Sequence, residues 1–295
     1  MRRIHPGVAM TGTTTELQHN SIQRLVHKRR SEAVLIESWQ RAQTEHRYDL
    51  NMDWSPERIT AYVSDAEINV VVAAESVRQA ALLVSHAAYL VPRGSAFVMS
   101  TIRARVAPAT IDQLRDNTFS ARELIASVHC TALEYRGRSL DSMTVFLRVS
   151  TREGAVVADG SGRLRVLPEI VYRKIRGTNV AIAHRSLGRR LPPELVGCAQ
   201  AQDVLLGDSP NGVRLLVDTD HPRYFDHPSD HIPGMVVIEA CRQQFVRQTG
   251  SEPTSLSADF HSFVEYPADT LIETSLGDIR TIQDGREAVR VSFAA

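Results

Sequence analysis

The amino-acid sequence predicts an α+β protein made of two similar halves, each with a long buried helix packed against an antiparallel sheet. Two observations predict this fold class. Two apolar stretches carry the pattern Glu-x-x-Arg-Gln, at Glu75 and again 164 positions later at Glu239. Each stretch is followed by segments in which apolar and polar residues alternate, as in half-buried strands. We therefore expect a duplication in which each sheet curls around its own helix.

The first half contains the longest apolar stretch of the chain, from Asn69 to Leu90. It is apolar nearly all round, which predicts a helix surrounded by protein. Pro92 and Gly94 are expected to end it. A short alternating segment precedes it, and the glycines of the later GSG sequence are interpreted as turns or bulges. The predicted strands are 46–54 before the helix and 96–106, 123–135, 142–150 and 154–167 after it.

The second half repeats this outline with a predicted helix over 234–249. Short strands are expected before it at 201–207 and 212–220, and three strands after it at 255–266, 269–276 and 287–293. This copy is thus predicted to be one strand short. The expected organisation is a loose tail over 1–20, a first repeat over 21–170, a linker over 171–193 and a second repeat over 194–295.

Composition excludes several classes of function. The chain has 34 basic and 34 acidic residues, so it lacks the broad positive surface that nucleic acids and anionic membranes require. Glu75, Arg78 and His86 lie inside the longest apolar stretch and would be costly in lipid. Three cysteines without metal-type spacing predict no disulfide framework and a reducing, cytoplasmic location.

A loop rich in histidine and proline leads into the second helix and carries the main chemical candidates. It begins at His221 and contains Asp230 and His231. Metal binding is one interpretation, since imidazole and carboxylate are good ligands, but the spacing fits no common metal motif. Histidines that line a pocket or bind the loop backbone are the alternative, with Asp230 orienting a neighbouring histidine or capping the helix.

The repeated glutamates allow two interpretations. Burial would push their pKa upward, toward values useful in acid–base catalysis. Arg78 and Arg242 follow three residues after each glutamate, on the same helical face, and would instead favour a charged carboxylate in a structural ion pair. A structural role is favoured for Glu239 and a functional role for Glu75.

The string PGMVVIEACRQ at 233–243, with a His-Pro upstream, resembles the signature of hotdog-fold β-hydroxyacyl-carrier-protein dehydratases. The longer string 221–243, together with the duplicated Glu-x-x-Arg-Gln, resembles more specifically the A-factor biosynthesis hotdog family. The resemblance implies a tandem hotdog fold. It also implies transfer of a β-ketoacyl group from an acyl carrier protein to a hydroxyl of dihydroxyacetone phosphate, toward γ-butyrolactone, butenolide or furan signals.

Acyl transfer to an alcohol needs a base, donors for the thioester oxyanion and cations for the phosphate. We predict His221 as the base and the Gly234 N–H, at the positive end of the helix dipole, as the oxyanion donor. By resemblance to dimeric dehydratases, His221 would meet Glu75 of the other half. Glu239 would belong to a mirror site in which the first half offers no His-Pro.

Further residues are predicted to bind substrate. Arg223 and Arg242 are preferred for phosphate because an arginine can grip it with two donors. The other predicted binding residues are Arg78, Gln79, Asp230, His231 and Gln243.

An arginine cluster is expected to meet the acidic carrier protein, and it comprises Arg163, Arg165, Arg173 and Arg176. No cofactor and no metal are expected, and the chain would be a monomeric pseudo-dimer or a homodimer. Two alternative functions remain open: a dehydratase or thioesterase using the same His and Glu, and a non-catalytic binder of acyl ligands.

Overall fold

The computed structural model describes residues 21–65, 67–179, 181–266 and 269–295. The tail predicted over 1–20 lies outside these ranges. Within them, no helix is both long and apolar enough to cross a membrane.

The described residues form one antiparallel sheet of twelve strands. In chain order the strands are β1 (Ile36–Arg41), β2 (Arg47–Met52), β3 (Ala96–Val106), β4 (Leu124–Arg136), β5 (Ser139–Ser150), β6 (Val156–Leu167), β7 (Leu206–Ser209), β8 (Gly212–Leu215), β9 (Ser255–Phe260), β10 (Thr270–Ser275), β11 (Asp278–Gln283) and β12 (Arg286–Ala294). Their order across the sheet is β1-β2-β4-β5-β6-β3-β9-β12-β11-β10-β8-β7. The order on one side of the β3–β9 contact mirrors the order on the other, so the two halves join edge to edge.

Two long helices correspond to the two predicted ones. The α-helices are α1 (Pro56–Ile59), α2 (Val70–Ala87), α3 (Pro108–Arg115), α4 (Glu169–Arg176) and α5 (Gly234–Thr249). Three-residue 3-10 helices lie at Ser31–Ala33, Pro193–Leu195 and Ala201–Asp203. Helix α2 is buried over nearly its whole circumference, as its sequence predicts, and the Asn69 side chain caps it by accepting from the Val71 N–H at 2.9 Å. Helix α4 spans the predicted boundary between the first repeat and the linker, and most of it lies in the linker.

The second half is not one strand short. It has four strands after its helix, as the first half has, because β11 follows β10 through a turn at Leu276 and Gly277. In the segment DIRTIQ every second residue is buried, but two of the three buried residues, Thr281 and Gln283, are polar, so the apolar signal is weak. The first half likewise holds an unpredicted strand, β1, whose sequence IESWQR is mostly polar.

The GSG sequence at 160–162 is not a turn but the middle of β6, paired with β3 on one side and β5 on the other. A Cβ at Gly160 would lie 2.5 Å from the Arg103 carbonyl oxygen and 2.8 Å from Val77 Cγ2 of α2. The missing side chain therefore lets the helix lie directly on the sheet.

Candidate functional site

A cavity of about 1040 Å³ lies between the two central helices and takes its walls from both halves. Residues of α2 and the first turns of α5 face each other across it, with β3 and the segment after β9 completing the wall. Its apolar lining includes Val71, Phe97, Val98, Met99, Ile102, Met235, Val236, Phe260 and Val289. The cavity can therefore hold an extended apolar chain.

Helix α5 begins at the wall of this cavity. Ile232 forms a β-bridge with Val264, donating its N–H to the Val264 carbonyl at 2.8 Å, and this fixes the loop just before the helix. Phe260 packs so closely that a Cβ at Gly234 would lie 2.8 Å from its ring. In the described chain no residue accepts a hydrogen bond from the Gly234 N–H, which sits at the positive end of the helix dipole. The cavity wall thus offers a donor for a negatively charged oxygen.

His231 lines the cavity and forms a hydrogen-bonded pair with Asp230, which is not among the described lining residues; His231 Nδ1 and Asp230 Oδ1 are 2.7 Å apart. Burial opposes ionisation of Asp230, but the hydrogen bonds from His231 and Arg176 outweigh it and hold its pKa well below the usual range. An ionised carboxylate only accepts, so the His231 proton lies on Nδ1. Whenever the ring carries only this proton, its Nε2 atom is an acceptor.

Arg176, at the end of α4, holds this pair in place. Its Nε donates to Asp230 Oδ2 at 2.9 Å and its Nη2 to the Asp230 carbonyl at 2.7 Å, while the Tyr172 hydroxyl donates to both carboxylate oxygens. The other side of the guanidinium binds Glu265 at 2.5 and 2.7 Å. Arg176 and Tyr172 of α4 thus hold Asp230, and Glu265 holds Arg176. Because Asp230 binds His231, the fold sets the orientation of the His231 ring.

Glu75 is buried on α2 and lines the same cavity. Arg78 donates to its two oxygens at 2.8 Å each, Gln79 donates at 3.0 Å, and Lys28 Nζ lies 3.1 Å from Oε1. Burial raises the pKa of Glu75, but the charges of Arg78 and Lys28 and these hydrogen bonds outweigh that and lower it to about 2. Glu75 is therefore ionised and fully engaged, which argues against a role in proton transfer.

Glu239 has the equivalent position on α5 and also lines the cavity. Arg242 donates to its two oxygens at 2.8 Å each, and Gln243 donates at 3.0 Å. Arg242 also pairs with Glu252 and donates to the Gly197 carbonyl at 3.2 Å. Both glutamates thus form the buried ion pairs that their spacing favours.

Residues 12–168 and 180–252 match the family described as AfsA: A-factor biosynthesis hotdog domain. The chain belongs to this family. The fold is therefore the hotdog fold, present as a tandem pair, as the resemblance implied.

Two relatives of this A-factor biosynthesis hotdog protein carry the name 2-oxo-3-(phosphooxy)propyl 3-oxoalkanoate synthase. The one from Streptomyces virginiae is 30% identical over 276 residues, 91% of this chain and 90% of the relative. The one from Streptomyces coelicolor is 36% identical over 196 residues, 65% of this chain and 61% of the relative. Among solved structures, HtdX of Mycobacterium tuberculosis aligns with 84% of this chain and 99% of its own at 12% identity, with a TM-score of 0.48. The synthase names support an enzymatic role in A-factor-type biosynthesis.

The sequence predicted that His221 meets Glu75. In the structure of this A-factor family member, His221 has other neighbours. The His221 Nε2 lies 3.1 Å from Asp203 Oδ1, its Nδ1 accepts from the Arg223 N–H at 3.3 Å, and its ring stacks on Tyr224. Among the described residues, those lining the cavity include Glu75 but not His221. His221 therefore lies against Asp203 and Tyr224, outside the lining of this cavity.

Gln79 and Gln243 were predicted to bind substrate, but both are fully buried and neither lines the described cavity. Gln79 accepts from the Leu35 N–H at 2.9 Å and donates to the Ala33 carbonyl at 2.9 Å. Gln243 repeats this pattern with the Leu205 N–H at 2.7 Å and the Asp203 carbonyl at 2.9 Å. Each glutamine thus connects its helix by hydrogen bonds to the segment just before the first strand of its half.

The arginines predicted to hold phosphate are already paired. Arg223 lines the cavity, but it forms an ion pair with Asp203 and donates to the Thr60 carbonyl at 3.0 Å. Arg242 does not line the cavity in the part of the chain described here. In the arginine cluster expected to meet the carrier protein, Arg176 is only 6% exposed.

Sequence reasoning missed one cavity residue next to Glu75, Lys28, whereas the interpretation of the loop histidines as pocket residues covered His227. Lys28 precedes the first predicted strand and carries no motif, so only the fold brings it to α2. His227 also lines the cavity, with its Nδ1 3.6 Å from Asp226 Oδ2. Its signal was present, since His227 is followed by Pro228 and forms a second His-Pro in the loop.

Proposed function

We propose that this protein transfers a β-ketoacyl group from the thioester of an acyl carrier protein to a hydroxyl of dihydroxyacetone phosphate. The observation that carries the proposal is that His231, which is paired with Asp230, and the start of α5 line one cavity with a largely apolar wall on one side. The names of the Streptomyces relatives agree with an ester of this kind. The phosphopantetheine arm would deliver the thioester into the cavity, and the acyl chain would lie against its apolar wall.

His231 replaces His221 as the proposed base. Its Nε2 takes the proton of the acceptor hydroxyl while Asp230 holds Nδ1–H, and the oxygen attacks the thioester carbonyl carbon. The oxyanion of the tetrahedral intermediate accepts a hydrogen bond from the Gly234 N–H. When the intermediate collapses, the carbon–sulfur bond breaks and the departing thiolate takes the proton from His231, which leaves an ester and a thiol.

The reaction is tested by mixing the protein with a β-ketoacyl carrier protein, with and without dihydroxyacetone phosphate, and analysing the products by mass spectrometry. We expect an acyl ester of dihydroxyacetone phosphate, formed only when both substrates are present. Acceptor-independent hydrolysis or dehydration of a β-hydroxyacyl thioester would support the dehydratase or thioesterase alternative. Binding without turnover would support an acyl-ligand binder.

The base is tested by His231→Gln, which keeps a polar side chain of similar size. We expect kcat to fall by roughly 10²- to 10⁴-fold, the usual contribution of general acid–base catalysis, with KM little changed. His221→Gln is the matched control and is expected to lower thermal stability while kcat stays within a few-fold. The reverse result, with His221 essential and His231 dispensable, would overturn the assignment.

A further inference from the structure

The two copies of Glu-x-x-Arg-Gln have acquired neighbours of opposite charge. In the first copy, Lys28 joins Arg78 beside Glu75, so two cations surround one carboxylate. In the second copy, Glu252 joins Glu239 beside Arg242, so two carboxylates surround one cation. The copy with the positive surplus places both of its cations in the cavity wall.

The ammonium group of Lys28 has few partners among the described residues. It is one of two lysines in the chain, the other being Lys174. Its side chain is 12% exposed, and its Nζ lies 3.1 Å from Glu75 Oε1 and 4.9 Å from the centre of the Tyr62 ring. An ammonium group has three N–H donors, and within the described ranges only the one toward Glu75 meets an acidic partner.

Arg78 also has hydrogen-bond donors that no described residue occupies. Its Nε and one Nη2 hydrogen bond to Glu75, and a long contact of 3.5 Å joins Nη2 to the Val26 carbonyl. For Nη1, no acceptor is found in the part of the chain that the structure describes. The side chain is 22% exposed. A guanidinium with one free edge can bind a tetrahedral anion through two donors.

Besides Glu75, the carboxylate of Asp226 also acts on Lys28 and Arg78 through its charge, but its hydrogen bonds go to other residues. Its carboxylate accepts from the Arg29 N–H at 2.6 Å and the Arg30 N–H at 3.2 Å, and it pairs with Arg30 Nε at 3.3 Å. His227 lies on its other side, 3.6 Å away. Asp226 therefore acts on Lys28 and Arg78 through its charge but forms no ion pair with either, so it occupies none of their hydrogen-bond donors.

We infer that Lys28 and Arg78 form an anion subsite that takes the phosphate of a small phosphomonoester. The inference rests on the proposed function and adds to it the residues that recognise the acceptor. A phosphate dianion would bridge the Lys28 ammonium and the free edge of Arg78, while Glu75 keeps both cations in position. The subsite would select a phosphorylated alcohol over the same alcohol without phosphate.

The test compares two acceptors, dihydroxyacetone phosphate and dihydroxyacetone, with one β-ketoacyl thioester of N-acetylcysteamine as donor. We expect Lys28→Met to raise KM for the phosphorylated acceptor by roughly 10- to 100-fold, the loss that follows removal of a hydrogen bond to a charged group. KM for dihydroxyacetone should stay within about twofold, because that acceptor never used the subsite. An equal loss for both acceptors, or no loss for either, would overturn the subsite.

Lys174→Met is the matched control, because Lys174 is exposed on α4 and its replacement removes the same charge. It should leave both KM values unchanged, and Lys28→Arg should retain most of the preference for the phosphorylated acceptor. Direct binding of glycerol 3-phosphate, followed by calorimetry, gives a readout that needs no turnover and should be lost in Lys28→Met. If the wild type binds glycerol 3-phosphate but transfers no acyl group, the proposed function fails and the subsite stands. If it transfers the acyl group but binds no phosphomonoester at Lys28, the subsite alone fails.

Discussion

Glu75 shows how a residue chosen from a motif can have a different role once its neighbours are known. Its position on a buried helix suggested a raised pKa and acid–base chemistry. Its carboxylate instead meets two cations and one amide, which keep it charged although burial opposes this. In the inferred anion subsite, its contribution is to position Lys28 and Arg78.

Replacing Glu75 by Gln tests this role through stability. The substitution leaves two largely buried cations without their carboxylate, so we expect the free energy of unfolding at neutral pH to fall by up to about 3–5 kcal/mol. Chemical denaturation measures it. Glu239→Gln is the matched control and should cost less, because Arg242 keeps its ion pair with Glu252. Equal losses of unfolding free energy in the two variants would contradict the expected difference between the two ion-pair clusters.

The same variant predicts a pH dependence. The pKa of Glu75 is lowered from 4.5 to about 2 in the folded protein, so the stabilisation is present above about pH 4.5 and is lost as the pH falls toward 2. The stability gap between wild type and Glu75→Gln should therefore narrow over that window. A gap that stays constant down to pH 2 would rule out a depressed pKa.

At the scale of elements, the packing of α2 on the sheet depends on two glycines of β6. The periodicity of β6 predicted a strand, but its glycines also suggested a turn. They are needed because Val77 of α2 rests on them, and Gly160 also lies against the backbone of β3. Close approach of two backbones, rather than a change of chain direction, explains these glycines.

Gly160→Ala and Gly162→Ala should differ in cost. A methyl at Gly160 would meet the Arg103 carbonyl oxygen at 2.5 Å, and backbone in a paired strand cannot move aside. A methyl at Gly162 would meet the flexible end of Met99 at 2.6 Å. We expect Gly160→Ala to destabilise by about 1–3 kcal/mol or more, the cost of overpacking, and Gly162→Ala by less. Thermal unfolding of both proteins checks the order, and the reverse order would mean that the helix, not the sheet, yields.

At the scale of the whole molecule, the two halves share one sheet and one core. Strands β3 and β9 pair along five residues, from Thr101 with Asp259 to Arg105 with Ser255. The buried apolar residues of both halves form one continuous cluster, and the cavity is lined by both. Neither half closes the cavity alone, so they are expected to unfold together.

The two tryptophans give a direct test of this coupling, because Trp39 and Trp54 both belong to the first half. We expect denaturation followed by tryptophan fluorescence to coincide with the transition followed by far-UV circular dichroism, which reports on both halves. Independent halves would instead give a fluorescence transition displaced from part of the circular dichroism change.

The sequence by itself determined the two central helices, most strands, the duplication and the family. These follow from local periodicity and from one contiguous string at 221–243, which need no knowledge of distant contacts. It missed β1 and β11, whose residues are too polar to show a clear pattern.

Only the tertiary structure decided which side chains share the cavity. His221 and His231 lie in one loop, and their surroundings differ because one lies against Asp203 while the other pairs with Asp230, which Arg176 holds. Lys28 meets Glu75 across 47 positions of sequence. Such long-range contacts depend on how the two halves pack together, and local sequence patterns do not predict that packing.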